Sequence, residues 1–170
     1  MNAFLHRDVT ARRWVLGSWL AALSAASALA APPVVQPFAP GTWKALQTSI
    51  KHPTAVVFST TDCTHCPAVI DRLAQAAATR KGMASVGVVV MDVIPGEADE
   101  ALQADAHLKR AGKLWAFASQ PAALRYEVDP AWRGVTPYVV FLRPGAAPKA
   151  VIGPPSAADV QAWLVPAAAR

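Results

Sequence analysis

The sequence predicts an α/β sandwich, with a central mixed sheet that is partly parallel, finished antiparallel and flanked by helices. Three features predict it. Two short apolar, β-branched runs, 54–59 (TAVVFS) and 84–93 (ASVGVVVMDV), have the composition of buried strands. Each is followed by a helical pattern, and strand–helix–strand order pairs strands in parallel because the helix is the crossover. Near the end of the chain, 137–143 (PYVVFLR) and 149–152 flank Pro144-Gly145, the signal of a hairpin-type turn.

The elements follow in order. Residues 31–40, with Pro32, Pro33, Pro37 and Pro40, read as an extended leader ahead of the domain. Residues 42–51 predict a short helix with Trp43, Leu46 and Ile50 on one face, stopped by Pro53. After the 54–59 strand and a Thr60-Thr61-Asp62 loop, a helix is expected over 63–80, with Pro67 tolerated in its first turn. Pro95-Gly96 ends the second strand. Residues 97–111 then read as one amphipathic helix, acidic at its start and basic at Lys109-Arg110, a charge order that suits the helix dipole. Gly112 is its expected C-cap. A strand over 114–118, a helix over 120–126 and a closing helix over 156–164 with Ser156 as N-cap complete the order.

The first 30 residues are set apart. A basic stretch (Arg7, Arg12, Arg13), an apolar run from Trp14 to Leu29 and the small-residue ending Ala28-Leu29-Ala30 have the layout of a secretory signal peptide cleaved after Ala30. The apolar run is about 16 residues, short of the roughly 20 that a spanning helix needs. Membrane contact is therefore expected only if the segment stays uncleaved. Arg12-Arg13 before Trp14-Val15-Leu16 also resembles a twin-arginine export signal, with Ala11 and Gly17 departing from it. The expected destination is the periplasm.

Of 16 Lys/Arg and 11 Asp/Glu in the whole chain, three and one lie in residues 1–30, leaving a net charge of about +3 beyond them. The basic residues beyond Ala30 are scattered, with Arg80-Lys81 and Lys109-Arg110 the only adjacent pairs. A nucleic-acid binder would gather them into a patch, so that class is excluded.

The chain has two cysteines, Cys63 and Cys66. A bridge closing so small a loop constrains the unfolded chain little, which leaves a reactive role as the better reading. The pair opens a helix just after a buried strand, where free N–H groups and the helix dipole stabilise a thiolate. Cys63, at the exposed start, is the expected nucleophile; Cys66, one turn inward, is the expected resolver of the mixed disulfide. His65, when cationic, favours the Cys63 thiolate and would make the disulfide more oxidising. Structural zinc would need two more ligands, and His52 and His107 form no recognisable pair with them. Haem attachment would need His after Cys66, where the chain has Pro67.

These residues resemble the thioredoxin superfamily, nearest to its TlpA-like branch of exported disulfide reductases. The resemblance spans residues 41–166 and rests on Val56-Val57-Phe58 leading into Cys63-Thr64-His65-Cys66, and on Gly134-Val135-Thr136-Pro137 leading into a strand. It implies a redox-active Cys63–Cys66 disulfide, a cis Thr136–Pro137 bond beside it, and a client groove formed by Thr136 and Pro137, with Thr64 a further expected substrate contact. Trp132 and Arg133 precede the proline motif, and Trp132 reads either as a flank of that groove or as a loop anchor packed on the core. The step of 71 positions from Cys66 to Pro137 implies the additional strand and helix of a TlpA-like insertion. The chain departs from the family at Asp62, where an aromatic commonly stands, and at Val57 and Val69, where relatives carry an acid. Asp71 and His107 read as solvated helix residues.

The expectation is a monomeric thiol-disulfide oxidoreductase with no dissociable cofactor and no metal. It acts on client thiols or disulfides and is recycled by a redox partner. Two alternatives stay open: a periplasmic copper- or metal-handling protein using the two thiolates with His65, and a redox-inactive interaction module.

Overall fold

The computed structural model describes residues 33–165. The expected signal peptide lies outside them, as do Ala31 and Pro32 of the leader.

Six strands form one sheet in the order β1-β4-β3-β2-β5-β6: β1 (Val35–Phe38), β2 (Thr54–Ser59), β3 (Ser85–Val90), β4 (Lys113–Phe117), β5 (Tyr138–Leu142) and β6 (Lys149–Ile152). β1, β4, β3 and β2 run parallel, and β5 and β6 are antiparallel to their neighbours. Five helices complete the order: α1 (Thr42–Ser49), α2 (Cys66–Ala78), α3 (Asp99–Ala104), α4 (Pro121–Val128) and α5 (Ala157–Leu164). The expected α/β sandwich with a mixed sheet is what forms.

β2 sits at the centre and is buried along its whole length. Its alternate side chains divide the core in two, as strand pleating requires. Ala55 and Val57 join Val69, Ile70 and Leu73 of α2 and Val160 and Trp163 of α5 in one layer. Val56 and Phe58 join Trp43 and Leu46 of α1 and Leu124 of α4, with Trp132 and Tyr138, in the other. Gly87 lets the aromatic layer close: a Cβ there would lie 2.6 Å from the Trp115 ring.

Three expectations need correction. The leader is extended as expected, but Val35–Phe38 is a strand of the sheet and Phe38 is fully buried. Its pairing with β4, about 80 positions away, leaves no local periodicity to read. The 97–111 helix is broken: α3 ends at Ala104 and a short 3-10 turn runs over Leu108–Arg110. Asp105 breaks it, because its Oδ1 accepts the His107 and Leu108 N–H groups at 2.8 Å each, replacing backbone helix bonds. Gly112 is then no C-cap; its N–H donates to the Val86 carbonyl at the entry to β4.

The closing elements follow expectation. Ser156 caps α5 in a capping box with Asp159. Lys149 of β6 pairs with Asp159 at 2.7 Å, and that partner with the Ser156 bonds holds the Asp159 carboxyl well below the ordinary range. The Ala146 N–H bonds the Arg143 carbonyl around Pro144 and positive-φ Gly145, a turn with proline and glycine where its geometry needs them.

Candidate functional site

The site lies where the carboxyl ends of β2 and β3 meet the start of α2. The chain leaves β2 at Ser59 and turns twice before the helix: the Cys63 N–H bonds the Thr60 carbonyl at 3.2 Å, and the Cys66 N–H bonds the Cys63 carbonyl at 3.3 Å. α2 therefore starts at Cys66, not at Cys63, with His65 as its N-cap. The His65 side chain makes no capping bond, so no side chain satisfies the helix's first N–H groups. Cys63 and Cys66 form a disulfide, which brings the Cys63 sulfur to the first residue of α2 although its backbone is outside the helix. Cys63 is partly exposed and Cys66 is 1% exposed.

Two polar contacts fix the loop before the cysteines. The Asp92 carboxylate, just past β3, accepts the Thr61 N–H at 2.9 and 3.0 Å and the Thr61 hydroxyl at 2.5 Å. The Thr60 hydroxyl lies 3.5 Å from that of Thr136. The Thr136–Pro137 bond is cis, as expected. Pro137 is buried and Thr136 half-buried, while Val135 beside them is exposed.

The expected groove residues separate. Thr136 is tied to the cysteine loop, and Thr64 is exposed within it. Trp132 does not flank a groove: it is 4% exposed, stacked on Tyr138 at 4.2 Å and edge-on to Phe58 at 5.1 Å. Its indole N–H donates to the Val135 carbonyl, so it supports the proline loop from beneath. An indole needs an apolar bed and an acceptor for its N–H; Phe58 and Tyr138 supply the first and the Val135 carbonyl the second. Tyr138 donates to Asp129 at 2.6 Å, which holds the Asp129 carboxyl below its ordinary range. Burial, with Asp129 beside it, pushes the Tyr138 phenol up. His65 is exposed at the start of α2 and lines a shallow cavity with Arg72, Pro154 and Pro155.

A cavity of about 230 Å³ opens beside the pair, on the side of α3 and the 3-10 turn. Cys63 and Cys66 line it with Ile70, Leu102, His107 and Leu108. Thr136 and Pro137 are not among its walls. Sequence reading missed this wall. Asp71 is not a solvated charge: its Oδ2 lies 2.9 Å from His107 Nδ1, and its Oδ1 lies 3.1 Å from Arg110 Nε, off the line of a hydrogen bond. Among the described residues, no three His, Cys, Asp or Glu side chains converge as a metal site, and no helix is long and apolar enough to cross a membrane.

Among solved structures, the chain superposes on a proposed thiol:disulfide interchange protein DsbE from Chlorobium tepidum with a TM-score of 0.50 and 18% identity, covering 69% of this chain and 78% of that one. The chain has the thioredoxin-like fold. The N-terminal domain of PilB from N. meningitidis, in its reduced form, is similar at 14% identity, with 71% and 83% covered and a TM-score of 0.49. A secreted Mycobacterium tuberculosis disulfide oxidoreductase homologous to E. coli DsbE is similar at 17% identity, with 66% and 78% covered and a TM-score of 0.45. No family profile and no curated protein matches the sequence. Val57 and Val69 are both buried in the aliphatic layer, so neither position supplies an acid.

Proposed function

We propose that the protein is an exported thiol-disulfide oxidoreductase of the TlpA-like kind. The observation that carries it is the pairing of a partly exposed Cys63 with a buried Cys66 at an uncapped helix start, one hydroxyl contact from a cis Thr136–Pro137 bond. That asymmetry divides the labour. The Cys63 thiolate attacks a client disulfide, forming a mixed disulfide and releasing one client thiol. Cys66 then attacks the Cys63 sulfur, closing the Cys63–Cys66 disulfide and releasing the second. The pair loses two electrons and the client disulfide gains them. Thr136, Pro137, Thr64 and exposed Val135 form the surface that receives client polypeptide, and His65 favours the Cys63 thiolate when protonated.

The basic, apolar and small-residue order of residues 1–30 supports export to the periplasm. The protein works as a monomer without a dissociable cofactor, and a redox partner returns the pair to its starting state.

Reduction of insulin disulfides by the reduced protein is the test. Wild type is expected to accelerate it and Cys63→Ser to give only the background rate; equal rates would end the proposal. The reduction potential then fixes direction: about −270 mV, as in thioredoxin, marks a reductase, and about −120 mV, as in DsbA, an oxidant.

A further inference from the structure

We propose that His107, oriented by Asp71, is the proton acceptor for Cys66 when Cys66 resolves the mixed disulfide; this rests on the oxidoreductase reading above. The need for such a group comes from burial. Cys66 is 1% exposed, and an apolar site disfavours the thiolate that must form before it can attack. The buried positions 57 and 69 are valines and supply no acid.

The cavity offers a substitute. Among the side chains that line it, His107 carries the one imidazole, the side chain most used as a proton acceptor. The His107 ring is held rather than loose. Nδ1 lies 2.9 Å from Asp71 Oδ2, so the neutral ring is assigned with Nδ1–H donating to the carboxylate and Nε2 left as the basic nitrogen. Asp71 is engaged on its other oxygen by Arg110 at 3.1 Å. Asp105 fixes the backbone under the ring through the His107 and Leu108 N–H groups. The charged and titratable groups around His107 are thus Asp71 on α2, Asp105 and Arg110 on its own segment, and the cysteine pair across the cavity.

In the step, the Cys66 thiol gives its proton to His107 Nε2, directly or through water in the cavity. The Cys66 thiolate attacks the Cys63 sulfur, the bond from that sulfur to the client breaks, and the client leaves as a thiolate that recovers the proton from the imidazolium. The break in the 97–111 helix at Asp105 is what places His107 in a turn against α2.

The test uses the full protein, reduced and mixed with the aryl disulfide dithiobis(nitrobenzoate). The first thionitrobenzoate released reports attack by Cys63; the second reports resolution by Cys66. In wild type the second phase is expected to accelerate through an inflection between about pH 5 and pH 8, where histidine changes charge. In His107→Gln that inflection disappears and the second phase near neutrality slows on the order of tenfold, less than a fully aligned acid–base group gives because water substitutes. The first phase is unchanged. Asp71→Asn shifts the second phase in the same direction by less. Second-phase pH profiles that superimpose for wild type and both variants would overturn the proposal. So would a uniform slowing at every pH with the inflection kept, because a wall residue that only shapes the cavity gives that result. A wild type that shows the histidine-dependent second phase yet leaves insulin intact supports the proton role while removing the protein-client reading.

Discussion

Two loops meet at the disulfide, and they are held in different ways. The proline loop, 129–137, rests on an apolar bed: Trp132 packs on both Phe58 and Tyr138 and holds the Val135 carbonyl, and Asp129 anchors the Tyr138 hydroxyl. The cysteine loop, 60–65, has no such bed. It is held by the Asp92 carboxylate on Thr61 and by one hydroxyl contact to Thr136. The proline loop is thus built into the core, whereas the cysteine loop is tied down by exposed and half-buried hydrogen bonds. Core packing resists local opening and surface contacts do not, so the reactive loop is the part of the site able to open separately.

The sharpest way to break this contrast is Trp132→Ala. It removes the bed of the proline loop and is expected to cost about 3–5 kcal/mol of global stability in denaturant unfolding, as large-to-small aromatic truncations do. A cost under about 1 kcal/mol would show that Trp132 packs on nothing essential.

Tyr138→Phe keeps the ring and removes the hydroxyl, with an expected loss of about 1 kcal/mol near neutral pH. Its pH dependence has a definite sign. The Asp129 carboxyl is lowered by the Tyr138 hydroxyl, so its contribution is present above the ordinary aspartate range and lost as pH falls through the folded value. The Tyr138 phenol is raised, so its contribution is present below the ordinary tyrosine range, near 10, and lost as pH rises beyond it. The difference in unfolding free energy between wild type and Tyr138→Phe should form a plateau that falls at both ends. A flat difference across pH would separate the two groups.

Asp92→Ala should act locally. Global stability is expected to fall by about 1 kcal/mol or less, since the contacts are exposed. Hydrogen exchange at the Thr61 amide should quicken while core amides of β2 and β5 stay protected. If the core amides accelerated equally, the cysteine loop would be as much a part of the core as its neighbour.

Much of this fold was legible because its central strands are continuous apolar runs. The 54–59 strand was predicted to the residue, and Ser156 as a cap is a purely local hydrogen-bond pattern. The Cys63–Cys66 pair and the cis Thr136–Pro137 bond were likewise written in short motifs. β1 was not, because a proline-bearing edge strand looks like a leader until β4 is beside it. The break at Asp105 was readable in principle: an aspartate two and three residues before the N–H groups it accepts is a known competitor of helix.

By itself the sequence determined the order of the central strands and the helices between them and the identity of the cysteine pair, because periodicity and a four-residue motif are properties of neighbours along the chain. Only the tertiary structure decided that Trp132 faces the core, that Asp92 grips the loop before Cys63, and that Asp71 holds the His107 that lines the cavity beside Cys66. Those pairings join residues roughly 30 or more positions apart. Which distant side chains come within hydrogen-bond reach depends on how the packed layers close, and no local pattern carries that.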